Sequence, residues 1–89
     1  MHSKNKPAMT DGEREYVDHI KSMACIVCGH PPISEAHEIV QGAWFLSVPL
    51  CADCHRGSLN GLHGRKGMWR IHKLDELGAL NETLRRVNA

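Results

Sequence analysis

Four cysteines and seven histidines carry the reactive side chains of this 89-residue chain. The cysteines stand in two pairs, Cys25-Ile-Val-Cys28 and Cys51-Ala-Asp-Cys54, with 22 residues between the pairs. Two intervening residues let a tight turn aim both sulfurs at one ion, so two such knuckles place four thiolates at the corners of a tetrahedron, the arrangement zinc takes in structural sites. All four cysteines are used in this way. The alternative is a pair of disulfides, but Met1 to Ala24 is polar and lacks the apolar run of a signal peptide. A reducing compartment is implied, where disulfides persist poorly.

Among the histidines, His37, His55 and His63 bear on function. His37 falls in a strand pattern, His55 directly follows the fourth cysteine, and His63 lies eight residues later. If a metal closes a hairpin between the knuckles, His55 leaves its knuckle beside the ion and His37 projects from the strand, so that the two can face one another. A second, divalent ion fits between them. A lone histidine on a half-buried face is more often a packed residue than a ligand, and it is the combination that points to a site.

The elements that must position these residues are legible in outline. Thr10 and Glu13 form a capping box that opens a helix over about residues 11–23, with Tyr16, Val17, Ile20 and Met23 as its inward stripe and His19 exposed. The polar segment before it, residues 1–9, reads as a disordered arm, leaving residues 10–89 as a single domain. Ile33 to Val40 alternates as a strand, with Ile33, Glu35, His37 and Ile39 on one face. Gln41-Gly42 breaks it, and Ala43 to Leu50 reads as a second strand returning to the second knuckle. His55 to His63 is predicted as a loop or short helix start, with Gly57, Gly61 and Gly64 permitting sharp changes of direction. From Met68 onward a helix is predicted on the stripe Trp69, His72 or Lys73, Leu77, Leu80, Leu84 and Val87, with Gly78 as a weak point. The fold class is α+β: a zinc-stapled β-hairpin flanked by an N-terminal helix and C-terminal helices.

Bulk properties set limits on this picture. A domain this small buries only about 60 to 65% of its unfolded surface, so its core alone is marginal, and structural zinc can add on the order of 10 kcal/mol to folding. The uncharged stretch Ile39 to Leu50 is too short to span a bilayer, so a soluble protein is expected. Eleven Lys and Arg against ten Asp and Glu give a net charge of +1, from which no nucleic-acid partner can be read. Arg56, Arg65, Lys66, Arg70 and Lys73 nevertheless cluster after the second knuckle, either as a solvated face or as a phosphate-contacting patch. Trp44 suits the core better than base stacking.

At Cys25-Ile-Val-Cys28-Gly29, Glu35-Ala-His37, Val48-Pro-Leu-Cys51-Ala-Asp-Cys54-His55-Arg56 and Gly61-Leu-His63-Gly64 the chain resembles the zinc-bearing HNH, or ββα-metal, endonucleases. It is most similar to the small phage nucleases of the RecA-dependent recombination-enhancement type. The resemblance implies hydrolysis of DNA phosphodiesters with Mg²⁺ or Mn²⁺, little sequence specificity, and a recombinase filament as a further partner. It implies a monomer or homodimer in the cytoplasm of a bacterial or phage-infected cell. It assigns His55 and His63 as ligands of the catalytic ion beside the structural Zn²⁺ on the cysteines. It leaves two options at the strand, where the run is Ala36-His37-Glu38 instead of a His-His or Asp-His doublet. Either His37 is a ligand and Glu38 the base, or His37 is the base and Glu35 replaces the lost ligand. A histidine is the stronger base at neutral pH. The asparagine of the family name is absent, with Leu46-Ser47 in its place. Arg56, Arg65 and Lys66 become candidates to hold flanking phosphates. Two further readings compete: a non-catalytic zinc module that binds nucleic acid, and a zinc-stapled protein whose leucine stripe docks a partner or dimerises.

Overall fold

Thr10 opens the first helix as its side chain implies. In the computed structural model, which describes residues 8–89, Glu13 N–H donates to Thr10 Oγ1 at 3.1 Å and Thr10 N–H donates to Glu13 Oε1 at 2.7 Å. The first seven positions of the predicted arm lie outside the described residues. Helix α1 runs Asp11–Lys21 and buries Val17 and Ile20, with His19 exposed. It stops short of Met23 because Ser22 takes the cap, its hydroxyl donating to the His19 carbonyl at 2.6 Å. Half-buried Tyr16 meets Phe45 with ring centroids 5.4 Å apart, so α1 also contacts the connection between the strands.

Strands β1 (Glu35–Glu38) and β2 (Ser47–Leu50) form a two-stranded antiparallel sheet in which Glu35 faces Leu50 and His37 faces Val48. Both strands are half the predicted length. Gly42 at φ 88° and a 3₁₀ turn over Trp44–Leu46 fill the connection, and Glu38 Oε1 accepts the Gly42 N–H at 2.8 Å. The apolar run from Ala43 thus spends its first residues turning, with Trp44 half-buried and Phe45 exposed, before Val48, Pro49 and Leu50 enter the core.

Helix α2 (Ala52–Arg56) begins at once from Cys51, and α3 (Gly67–Ile71) follows a loop that folds tightly upon itself. Sequence reasoning assigned the loop glycines to changes of direction. Positive φ among the glycines occurs at Gly29 and Gly42. Gly57, Gly61, Gly64 and Gly67 instead allow close approach: a Cβ on Gly61 would lie 2.3 Å from the Gly57 carbonyl oxygen, and one on Gly64 would lie 2.6 Å from that of Ser58.

The single C-terminal helix predicted from Met68 is two helices, α3 and α4 (Glu76–Val87). Lys73 adopts φ 54°, its N–H donates to the Arg70 carbonyl, and the Leu74 N–H reaches back to Trp69 at 2.9 Å. This is a Schellman ending, normally flagged by glycine, and the lysine hides it. Asp75 then caps α4, accepting the Gly78 N–H at 2.7 Å. The rotation between the helices replaces the predicted stripe: Ala79 and Thr83 are buried, while Leu77 is 71% exposed. Trp69 is sealed in the core and donates from Nε1 to the Cys54 carbonyl at 2.9 Å. Among the described residues no helix is long and apolar enough to cross a membrane.

Two substitutions test the loop and the helix break by chemical denaturation. Gly61→Ala is expected to destabilise the protein by about 1 to 3 kcal/mol, since backbone must move to admit the methyl. Lys73→Gly is expected to stabilise it by about 0.5 to 1 kcal/mol by removing left-handed strain.

Candidate functional site

The sulfurs of Cys25, Cys28, Cys51 and Cys54 lie within 4.8 Å of one another, with Cys28 and Cys51 3.7 Å apart. A regular tetrahedron with metal–sulfur bonds of about 2.3 Å has edges of about 3.8 Å, so the cluster has the dimensions of a four-thiolate metal site. It can hold a metal ion such as zinc.

Backbone geometry builds both knuckles. In the first, the Gly29 N–H donates to the Cys25 carbonyl, Gly29 turns at φ 78°, and the Cys25 N–H donates to the His30 carbonyl. In the second, Cys51 caps α2 by accepting the Cys54 N–H on its sulfur at 3.4 Å. The Ile26 N–H donates to the Pro49 carbonyl at 2.9 Å, which ties the first knuckle to β2. The His30 side chain is exposed, with Nδ1 against the Pro31 carbonyl, and is not one of the gathered ligand groups.

The electrostatics call for a cation. Burial pushes the Cys54 thiol far above its ordinary range, and the nearby charges of Cys25 and Cys51 push it further. Burial likewise raises Cys28, against a partly compensating backbone donor at His30. For Cys25 burial acts upward too, but backbone N–H groups of Cys28, Cys51 and Val27 outweigh it and hold the thiol below its usual value. Four thiolates in one apolar pocket would repel one another, and a bound dication would supply the compensating charge.

Beside this cluster an open cleft of about 220 Å³ is lined by Ala36, His37, Glu38, Gln41 and His55. His37 projects from β1 and His55 from α2, directly after the fourth cysteine. Their rings meet edge to face with centroids 5.0 Å apart and planes at 64°. Each imidazole is backed by a carboxylate. His55 Nδ1–H donates to Glu35 Oε1 at 2.7 Å, and His37 Nε2–H donates to Glu76 Oε2 at 2.7 Å. Glu35 and His37 share a strand face, and the Arg56 guanidinium bridges both Glu35 oxygens, at 3.1 Å from Nε to Oε1. That pairing, helped by His55 and opposed by burial, holds the Glu35 carboxyl below the usual carboxylate range.

The candidates named from sequence therefore divide. His37, Glu38 and His55 come together in the cleft. His63 is exposed on the turn after Leu62 and takes no part in the cleft walls. Arg56 is committed to Glu35 while Arg65 and Lys66 are exposed on the following loop. Glu35 is occupied by His55 and Arg56 as their shared acceptor. Glu76 was missed: a glutamate in the first turn of a helix looks like ordinary dipole compensation, and its partner lies 39 residues away.

His55 fits the first requirement of a divalent-ion ligand, because a carboxylate behind one ring nitrogen leaves Nε2 as the nitrogen able to bind metal. Among the described residues, the cysteines are the one group of three or more such donors already gathered. An ion in the cleft would draw on His55, on the nearby Glu38 carboxylate, and on water or substrate oxygen. Fold and site together define a small α+β protein with a four-cysteine metal-type cluster and an adjoining histidine cleft. No protein-family model, curated protein or solved structure matches the chain.

Elemental analysis of the purified protein is expected to give one tightly bound zinc per chain. Cys54→Ser or a strong chelator should abolish the cooperative unfolding transition seen by circular dichroism. Zinc should be held less tightly as the pH falls, because protons compete for the thiolates.

Proposed function

We propose that this protein is a metal-dependent DNA endonuclease of the ββα-metal kind, with zinc on the four cysteines as its structural staple. The observation that supports the reading is the convergence of His37 and His55 in one open cleft, each backed by its own carboxylate. A structural histidine needs one hydrogen-bonding partner. Two imidazoles lining one open cleft can divide the roles of general base and metal ligand between them.

In this reading His37 is the general base, since its bond to Glu76 leaves Nδ1 to accept a proton from the attacking water. His55 offers Nε2 to the cation, held in orientation by Glu35 and indirectly by Arg56. Glu38 stands at the cleft as a carboxylate donor. A bound divalent ion would supply charge neutralisation of the scissile phosphate and of the leaving oxygen. Imidazole and carboxylate together suit Mn²⁺ better than Mg²⁺, which favours oxygen donors and retains its waters. Arg65 and Lys66 would contact flanking phosphates, which position DNA without reading its sequence. Phage recombination, with a recombinase filament as partner, is the cellular setting proposed for this activity.

The second reading is a zinc module that binds nucleic acid without cutting it. It is favoured by one observation: His63 does not reach the cleft, so no third histidine joins His37 and His55.

Nicking of supercoiled plasmid decides between them. Purified protein is expected to nick with Mn²⁺, and more weakly with Mg²⁺, and to be inactive in EDTA once residual ions are removed. His37→Ala and His55→Ala should each reduce the rate by about 100-fold or more while zinc content and folding persist. DNA binding without nicking under any divalent ion would establish the non-catalytic module instead.

A further inference from the structure

As a general base, His37 must be held with one ring nitrogen free to accept a proton. Four ionisable groups surround its ring: Glu76 from α4, His55 from α2, Glu38 as its strand neighbour, and Glu35 across the His55 ring. Glu76 bonds the ring directly, at 2.7 Å, and the His37 side chain is only 13% exposed against 38% for Glu76. An acceptor-only carboxylate on Nε2 requires the hydrogen there and excludes the other neutral tautomer. Nδ1 then carries the lone pair.

The local backbone favours this contact. Asp75 caps α4 and accepts the Gly78 N–H, which anchors the first turn and with it Glu76. Ala79 and Thr83, on the same helix, are completely buried, so α4 cannot rotate about its axis without exposing its packed face. The carboxylate is thus presented by a rigid element rather than by a loop.

Resting on the nuclease reading, we infer that Glu76 is a positioning residue of the site: it fixes the Nε2–H tautomer and ring orientation of His37, so that Nδ1 faces its task as proton acceptor. Glu76 touches neither water nor phosphate in this role. It acts through His37.

The test uses the full-length zinc-loaded chain with ¹⁵N-labelled histidine, comparing parent, Glu76→Gln and Glu76→Leu by long-range ¹H–¹⁵N spectra. The amide oxygen of Gln still accepts from Nε2–H, whereas Leu cannot. His37, assigned by loss of its signals in His37→Ala, is expected to show the pure Nε2–H pattern in the parent and in Glu76→Gln, and a tautomer mixture in Glu76→Leu. In the plasmid assay with Mn²⁺, Glu76→Leu should lower kcat on the order of 10- to 100-fold with KM changed less than about 2-fold, and Glu76→Gln should recover most of the rate. Circular dichroism and zinc content confirm that each variant folds. A His37 tautomer unchanged in Glu76→Leu would overturn the inference, as would an unchanged kcat. A parent protein that does not nick would sink the nuclease reading separately, and the tautomer spectra would still decide the role of Glu76.

Discussion

Four sulfurs that must meet at one point constrain nearly everything after the first helix. Cys25 and Cys28 approach from one side and Cys51 and Cys54 from the other, so the intervening chain has to leave and return. A β-hairpin is the economical solution. Its strands are pinned beside the cluster, where Glu35 pairs with Leu50 and the Ile26 N–H reaches Pro49. Cys51 is at once a ligand candidate and the N-cap of α2, which places His55 within one helical turn of the metal-type cluster. Trp69 closes the other side by donating to the Cys54 carbonyl. A domain of this size has too little apolar surface to hold such an arrangement firmly by burial alone.

The cleft inherits its geometry from that constraint. Period-two alternation puts Glu35 and His37 on the same face of β1, and the α2 helix leaving the second knuckle brings His55 against them. A carboxylate behind an imidazole does two things at once: it selects the tautomer and it fixes the orientation of the ring. Here both imidazoles have such a partner, from different elements, so the pair is held from β1 on one side and α4 on the other. Arg56 pairs with both oxygens of Glu35 from the solvent side and holds that carboxylate in position.

The C-terminal third shows how local rules are overridden. The leucine spacing after Trp69 suits one amphipathic helix, but Lys73 in the left-handed region divides it, and the second helix turns Ala79 and Thr83 inward. Small residues on that face let α4 lie close to β2, and closeness is what allows Glu76 to reach His37. The compact glycine loop between α2 and α3 serves the same end by bringing Trp69 back under Cys54.

Local chemistry made several features legible from sequence alone. The capping box started α1 where Thr10 and Glu13 stand, since both bonds lie within four residues. The C-x-x-C spacing predicted the four-cysteine cluster because a tight turn has few geometries. The strand alternation placed His37 on the face that His55 meets. Tertiary structure alone decided the rest. Strand lengths depended on how the Trp44–Leu46 turn packs, and His63 was kept from the cleft by a loop whose path is set by backbone-to-backbone contact at glycines. Glu76 became the partner of His37 through a contact spanning 39 residues, and no pattern in a linear sequence records which of two distant polar residues will find each other.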